Sequence, residues 1–153
     1  MSIRQDFENL RRREGLIDPA DLDAMWSRLQ TVRIEELTGQ WRGSAFDTGH
    51  RTSKILEKSG WYGKRFDSPL DVQPLICRNA EGELYSDTES GRGGASLWMV
   101  EFRGESTATM VYDGMAVFDH FKKVDDGTVM GIMNGKGIAL DEGKHFYFLL
   151  DRD

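Results

Sequence analysis

Apolar residues recur at helical spacing near the start of the chain. The members of this stripe share one helix face: Leu22, Met25, Trp26 and Leu29. Asp18 can cap the first turn, and Pro19 suits the first helical position. The pattern predicts a helix over 18–30, preceded by a weaker helix over 3–14 that ends at Gly15.

After Thr38 the helical period gives way to short runs rich in β-branched and aromatic residues. Turn segments such as N-A-E-G, Y-D-G and D-D-G separate these runs. One exception is 52–59, where the pattern favours a short helix ended by Gly60. About eight strands at regular spacing predict a mainly β protein built as an antiparallel β-barrel. We expect one domain, in which residues 1–36 form a helical segment packed on or capping the barrel and residues 37–153 form the barrel itself.

The first strand contains G-Q-W-R-G, which places Gly39, Trp41 and Gly43 on one face. A large ring between two positions that lack side chains indicates a close approach by another backbone or by a ligand. Trp41 is therefore either a core residue at the closed end of the barrel or the edge of a ligand cavity. Both readings stay open, because a barrel of about eight strands is just wide enough to fill with side chains or to hold one small ligand.

The strand predicted over 95–103 carries candidates for the barrel interior. Trp98, Val100 and Phe102 share one face, and we predict that this face turns inward. Arg103, on the opposite face, is a candidate for binding an anionic group.

The strand predicted over 115–122 presents an ionisable residue on either face. Asp119 lies on one face, and His120 lies on the other face with Phe118. A buried carboxylate or imidazole needs a partner, which is either another protein group or a ligand. Met110 belongs to a group of methionines in the later strands that suits an adaptable apolar cavity or ordinary core filling.

The segment W-Y-G-K-R-F pairs an aromatic ring with a cation on each face of its strand. Strict alternation puts Trp61 with Arg65 on one face and Tyr62 with Lys64 on the other. Such a face suits an anionic head group with an apolar body. The alternative is that the lysine and arginine stems cover the barrel rim while their charges stay in water.

Composition narrows the classes of function. The formal net charge of −6 argues against a nucleic-acid binder, because such proteins present a concentrated basic face. No apolar run is long enough for a membrane span, and no signal peptide is evident, so we expect a cytoplasmic protein. The lone Cys77 excludes an internal disulfide, and the three histidines match no zinc signature, so no metal site is predicted.

The blocks G-Q-W-R-G, W-Y-G-K-R-F, M-V-Y-D and D-H-F-K-K-V-D resemble those of the bacterial GXWXG family, whose function is unassigned. The resemblance runs from about Leu37 to Arg152 and implies mainly the fold. A looser similarity is to lipocalin-like (calycin) barrels and nitrobindins. It implies that Arg152 packs over Trp41, and that His145 is the candidate axial ligand if the protein binds haem.

These observations favour a binding protein for a hydrophobic or amphipathic small molecule, such as a fatty acid or a phospholipid-like ligand. The apolar body of the ligand is expected among these residues: Trp98, Val100, Phe102, Met110 and Phe118. Lys64, Arg65 or Arg103 would hold its anionic end. No cofactor is predicted. The alternatives are a haem protein and an enzyme that uses Asp119 or His120 for acid–base chemistry on a hydrophobic substrate. The sequence does not exclude a homodimer.

Overall fold

The computed structural model describes residues 2–153 and consists of a strand-rich barrel with three α-helices. The helices are α1 (Ile3–Arg11), α2 (Pro19–Arg28) and α3 (Arg51–Ser59), and short 3₁₀ turns lie at Ile34–Leu37 and Gly137–Ala139. The first five strands are β1 (Gln30–Thr31), β2 (Gly39–Ala45), β3 (Trp61–Ser68), β4 (Asp71–Arg78) and β5 (Leu84–Ser86). The others are β6 (Ala95–Phe102), β7 (Glu105–Tyr112), β8 (Val117–Asp125), β9 (Thr128–Gly135) and β10 (Phe146–Arg152).

Eight of these strands close into an antiparallel ring. Its order is β8-β7-β6-β4-β3-β2-β10-β9, and β9 pairs back onto β8. Closure pairs every strand of the ring with a neighbour on each side, as expected for a barrel. The ring has a thin seam between β4 and β6, where Val72 and Ala95 form one ladder pair. The mainly β barrel predicted from the strand spacing is therefore confirmed.

The two N-terminal helices cover the outside of the barrel wall. Asp18 caps α2 by accepting a hydrogen bond from the backbone N–H of Ala20, and the side chain of Ser2 caps α1 in the same way. Their apolar faces pack on outward-facing residues of β9 and β10. This outer cluster includes Phe7, Leu22, Met25, Trp26, Met130, Ile132, Tyr147 and Leu149. The helices thus lie on the wall and not over the end of the barrel.

A second apolar cluster fills the barrel itself. Its members alternate with those of the outer cluster along β10, where Phe146, Phe148 and Leu150 point inward. The inner cluster also includes Trp41, Phe66, Leu97, Met110, Tyr112, Val117 and Phe121. Because both faces of this part of the wall are buried, its strands are apolar almost throughout.

Across residues 2–153, none of the helices combines the length and the apolar character needed to cross a bilayer.

Candidate functional site

An apolar funnel opens at one end of the barrel, beneath α3. Its outer chamber has a volume of about 230 Å³, and its inner chamber has a volume of about 50 Å³. The two chambers adjoin each other and share the side chains of Thr52, Leu56, Leu75, Tyr112 and Met133. Ile55 and Ile138 line the outer chamber and remain largely exposed at its mouth.

A buried ion pair lies at the bottom of the funnel. Lys64 Nζ is 3.1 Å from Asp119 Oδ2 and donates a hydrogen bond to the Pro74 carbonyl at 3.2 Å. Both side chains are 3% exposed. The ammonium group also lies 5.4–5.7 Å from the ring centroids of three aromatic residues, Trp61, Tyr112 and Phe148.

Two polar atoms of the inner chamber's lining residues have no hydrogen-bond partner within residues 2–153. They are Asp119 Oδ1, an acceptor, and Trp61 Nε1, a donor. Burial raises the pKa of Asp119, and the charge of Lys64 opposes this shift. Burial also raises the pKa of Tyr112 well above its ordinary value, with a further contribution from Asp119. A buried carboxylate oxygen without a partner is costly, so this position is suited to a ligand that supplies one.

An irregularity in β3 explains why Trp61 and Lys64 both line the funnel. The register with β4 shifts between Trp61 and Gly63, and again between Gly63 and Arg65. These shifts break strict alternation, which had placed Trp61 and Lys64 on opposite faces. Arg65 is exposed and pairs with Asp67.

Tyr62 points away from the funnel. Its hydroxyl donates to Asp153, and Arg78 lies over its ring. Trp61 and Lys64 are therefore the two members of W-Y-G-K-R-F that the structure brings to the site.

On β6 the predicted interior face is wrong. Leu97 pairs with Met110, and both belong to the inner cluster, so Trp98, Val100 and Phe102 face outward. Trp98 is 50% exposed, and Val100 is half-buried on the same outer face. The pattern misled because α2 covers part of this wall and gives its outside an apolar character.

The end of β6 and the residue that follows it, Phe102 and Arg103, contact helix α2. Phe102 packs edge-on against Trp26, with ring centroids 5.9 Å apart. Arg103 pairs with Asp23, which also accepts a hydrogen bond from the Tyr147 hydroxyl. Arg103 thus does not reach the funnel.

His120 and Phe118 also lie on the outer wall. The His120 ring stacks on Phe102 with centroids 4.0 Å apart, and its nitrogens contact Thr109 Oγ1 at 2.9 Å and the Asn134 side-chain nitrogen at 3.2 Å. Burial lowers the pKa of His120 to about 4, with smaller contributions from the charges of His145 and Arg103. The imidazole is a satisfied structural group, separated from Asp119 by the barrel wall.

His145 belongs to the same outer region. It contacts the rings of Phe102 and Tyr147, and its Nδ1 lies 2.8 Å from the Met133 carbonyl oxygen. A haem in the barrel interior would therefore be out of its reach. Within residues 2–153, no three His, Cys, Asp or Glu side chains are grouped in a way that could hold a metal ion.

Comparison with known proteins identifies the family to which this chain belongs. A family model described as GXWXG protein matches residues 24–82, and one described as a domain of unknown function (DUF4334) matches residues 93–152. A crystal structure of a protein from Thermomonospora curvata is 35% identical, has a TM-score of 0.90, and is covered over 99% of its length by 100% of this chain. The chain belongs to the GXWXG family. No curated protein matches it.

The tryptophan of the GXWXG motif closes the end of the barrel opposite the funnel. Trp41 is 1% exposed, and its indole N–H donates to the Leu37 carbonyl. The Arg152 guanidinium lies 4.2 Å from the centroid of this ring and donates to two backbone carbonyls of the preceding segment. Arg152 therefore packs over Trp41 as the lipocalin resemblance implies, and Trp41 is a core residue.

The motif glycines make room for neighbouring groups. A Cβ at Gly39, whose φ is +123°, would lie 3.1 Å from Arg152 Nη1. A Cβ at Gly43 would lie 2.1 Å from the Trp61 ring. The second motif glycine thus allows Trp61 to pack inside the barrel beside Lys64.

A shallow groove of about 310 Å³ lies at this closed end, beside Trp41 and Arg152. Its charged groups already have partners: Lys123 contacts both Glu36 and Asp126. No polar side-chain atom among its described lining residues is buried without a partner. The groove therefore differs from the funnel, where Asp119 Oδ1 and Trp61 Nε1 are buried without a hydrogen-bond partner.

In this GXWXG chain, Lys64 and Asp119 were predicted as candidate site residues from the sequence. Most of the apolar residues that line the funnel were not. Leu56 and Leu75 gave no distinctive signal, whereas Met115 and Met133 belong to the group of methionines in the later strands that suited an apolar cavity. Tyr112 stood in M-V-Y-D, a block that pointed to the family without a role for the tyrosine. The helical pattern over 52–59 was the available clue that an amphipathic element covers the barrel end.

Proposed function

We propose that the chain binds a small hydrophobic or amphipathic molecule in the funnel and carries out no chemistry on it. The observation that carries this proposal is the unpartnered Asp119 Oδ1 on a residue that lines the end of an apolar cavity. Ligand sites in proteins are typically apolar pockets with a few well-placed polar groups.

The dimensions favour a small ligand. Volumes of about 230 Å³ and 50 Å³ fall at or below the lower end of ordinary ligand pockets, which begin at about 300 Å³. A medium-length acyl or alkyl chain suits this space better than a whole phospholipid.

The mouth of the funnel also supports entry of an apolar molecule. Ile55 is 58% exposed and Ile138 is 64% exposed, and both line the outer chamber. Transfer of an apolar ligand from water into an apolar cavity is favourable, and apolar side chains exposed at a rim are typical of ligand-binding grooves.

Native mass spectrometry of the freshly purified protein tests the proposal, alongside its denatured mass and an organic extract. We expect a non-covalent adduct that disappears on denaturation. Leu56→Trp adds bulk at a position that lines both chambers, and it should lower the adduct fraction at least severalfold. Lys54→Trp, on the exposed side of the same helix, should leave it unchanged.

The proposal fails if the unmodified protein shows a bare mass both as purified and after incubation with excess medium-chain alcohols and acids. It also fails if Leu56→Trp folds and retains the full adduct fraction.

Asp119 supports a second candidate function, acid–base catalysis on a hydrophobic substrate. Burial raises the pKa of its carboxyl group, and a raised carboxyl pKa beside a cavity is typical of general acids and bases. His120 is not available for this role, because Phe102 and Asn134 enclose it on the outer wall. If the chain is such an enzyme, Asp119→Asn that remains folded by circular dichroism should lack turnover of a molecule recovered in the extract and should still bind it, because the asparagine side chain keeps an acceptor oxygen. Unchanged turnover would exclude Asp119 from the reaction.

A further inference from the structure

We propose that the polar end of the ligand is an uncharged hydroxyl group that donates a hydrogen bond to Asp119 Oδ1, and not a carboxylate bound by Lys64. This inference rests on the proposed function, because it concerns the molecule that occupies the same funnel. It replaces the anionic head group expected from the sequence with a neutral one.

The charge balance of the inner chamber argues for a neutral ligand. Lys64 and Asp119 already form a pair of opposite charges at 3.1 Å, and both side chains are 3% exposed. A carboxylate added here would leave the buried site with a net negative charge and would lie beside the like charge of Asp119. An added ammonium group would meet the same difficulty with Lys64.

The unsatisfied atoms specify the kind of polar group. Asp119 Oδ1 requires a donor, which a carboxylate or an ether cannot provide. Trp61 Nε1 is a buried donor in the same lining and requires an acceptor, which an ammonium group cannot provide. A hydroxyl group has one donor and two acceptor positions, so it can serve either atom.

The Lys64 ammonium is already engaged. It donates to Pro74 and to Asp119, and aromatic rings surround it at cation–π distance. A carboxylate ligand would have to compete with Asp119 for this cation in a site that excludes water.

The described lining of the outer chamber has no unpaired cation that could hold an anionic end. Arg51 lines the outer chamber, but it pairs with Asp141 and donates to the Ile138 and Leu140 carbonyls. The other charged residue of that lining is Asp87, which would repel an anion. The described lining of the funnel therefore favours a molecule with no net charge.

A matched set of probes tests this inference on the unmodified protein: 1-octanol, octanoate, octylammonium and octyl methyl ether. Isothermal titration calorimetry near neutral pH gives the affinity of each. We expect 1-octanol to bind at least tenfold more tightly than either charged probe. It should also exceed the ether severalfold, because the ether cannot donate to Asp119.

A double variant, Lys64→Met with Asp119→Leu, connects the preference to these residues. It replaces both charged side chains with apolar ones of similar length and leaves no unpaired charge in the barrel. In this variant the advantage of 1-octanol over the ether should fall to less than twofold, while the ether itself still binds.

The outcomes separate the two proposals. If octanoate or octylammonium binds more tightly than 1-octanol, the hydroxyl inference is overturned and the funnel remains a ligand site. An ether that binds as well as 1-octanol also overturns it, since a water molecule then satisfies Asp119 Oδ1. If none of the four probes binds, the proposed function and this inference both fail.

Discussion

Lys64 and Asp119 meet inside the barrel, where aromatic rings take the place of water around the ammonium group. Desolvation of two such groups costs several kcal/mol, and their mutual attraction offsets this cost only when both partners are present. The pair therefore contributes little net stability, although each charge depends on its partner.

Removal of one partner should destabilise the fold strongly. Lys64→Met leaves the Asp119 carboxylate buried without its counterion, so the free energy of unfolding should fall by about 3–5 kcal/mol near neutral pH. The double variant Lys64→Met/Asp119→Leu should recover most of this loss, as urea titration can measure. A single variant as stable as the unmodified protein would show that the two charges are not coupled.

His120 makes a separate contribution that depends on pH. Its pKa is lowered to about 4 in the folded protein, against an ordinary value of 6.5. Above pH 6.5 the ring is neutral in both states and has no effect on the pH dependence of stability. As the pH falls from 6.5 towards 4, the unfolded chain takes up a proton that the folded chain excludes, so stability is lost.

This pKa difference predicts that the free energy of unfolding falls between about pH 7 and pH 4.5 by up to about 2–3 kcal/mol more in the unmodified protein than in His120→Gln. Urea unfolding of both proteins at the two pH values gives the comparison, in which the other titrating groups cancel. Equal pH dependence of the two proteins would mean that His120 takes up its proton in the folded state.

At the scale of single residues, the sequence identified ionisable side chains that belong to the site. It did not identify which of them contact each other. Asp119 and Lys64 were both singled out as ionisable residues in strands, but their pairing depends on register across a ring of strands that a single sequence does not reveal. His120 was the equal alternative to Asp119 until the fold showed which face turned inward.

The irregular β3 strand is the element that places the site. A Cβ at Gly63 would lie 1.9 Å from the Trp41 carbonyl oxygen, so the two backbones approach too closely there for any other residue. This close contact packs β2, near Trp41 at the closed end of the barrel, directly against β3, the strand that carries Lys64.

Gly63→Ala should therefore lower the free energy of unfolding by about 1–3 kcal/mol or more, because the clash is with backbone that cannot rotate away. Gly127→Ala is the matched control, since its nearest neighbour would lie at an ordinary 3.7 Å. That variant should stay within about 0.5 kcal/mol of the unmodified protein. Thermal and urea unfolding measure both, and equal stabilities would contradict the close approach.

Of the three α-helices in residues 2–153, α3 should open at the lowest free-energy cost. It has no fully buried residue, whereas α2 buries Leu22, Met25 and Trp26. Elements with little buried apolar surface open at low free-energy cost.

Hydrogen exchange should accordingly be faster for the α3 amides than for those of α2, and a bound ligand should slow exchange in α3 selectively. Mass spectrometry of peptides from the two helices measures the difference. Exchange in α3 as slow as in α2, with no response to ligand, would contradict the view of α3 as the entrance.

The helices and most strands were predictable from periodicity and turn residues. The facing of β6 was not, because Trp98 and Phe102 are as apolar as the interior residue Leu97 beside them. The bulged register of β3 was also hidden, since a one-residue irregularity leaves no clear mark in an alternating pattern.

At the scale of the whole molecule, residues 2–153 form two apolar clusters on opposite faces of the barrel wall. The inner cluster closes one end of the barrel around Trp41, and the outer cluster fixes α1 and α2 to β9 and β10. The sequence predicted both a barrel and its helices, but the closed and open ends emerge only from the three-dimensional arrangement. The central claim is that the open end is a ligand site and that the outer cluster is packing.

Methyl NMR of protein labelled at its methionines tests that claim most directly. Met115 and Met133 line the funnel, while Met25 and Met130 belong to the outer cluster and serve as internal controls. Titration with 1-octanol should shift the methyl signals of the funnel pair in a saturable manner and leave the control pair in place. Shifts confined to Met25 and Met130, or no saturable shift at any of the four, would contradict the assignment of the funnel as the binding site.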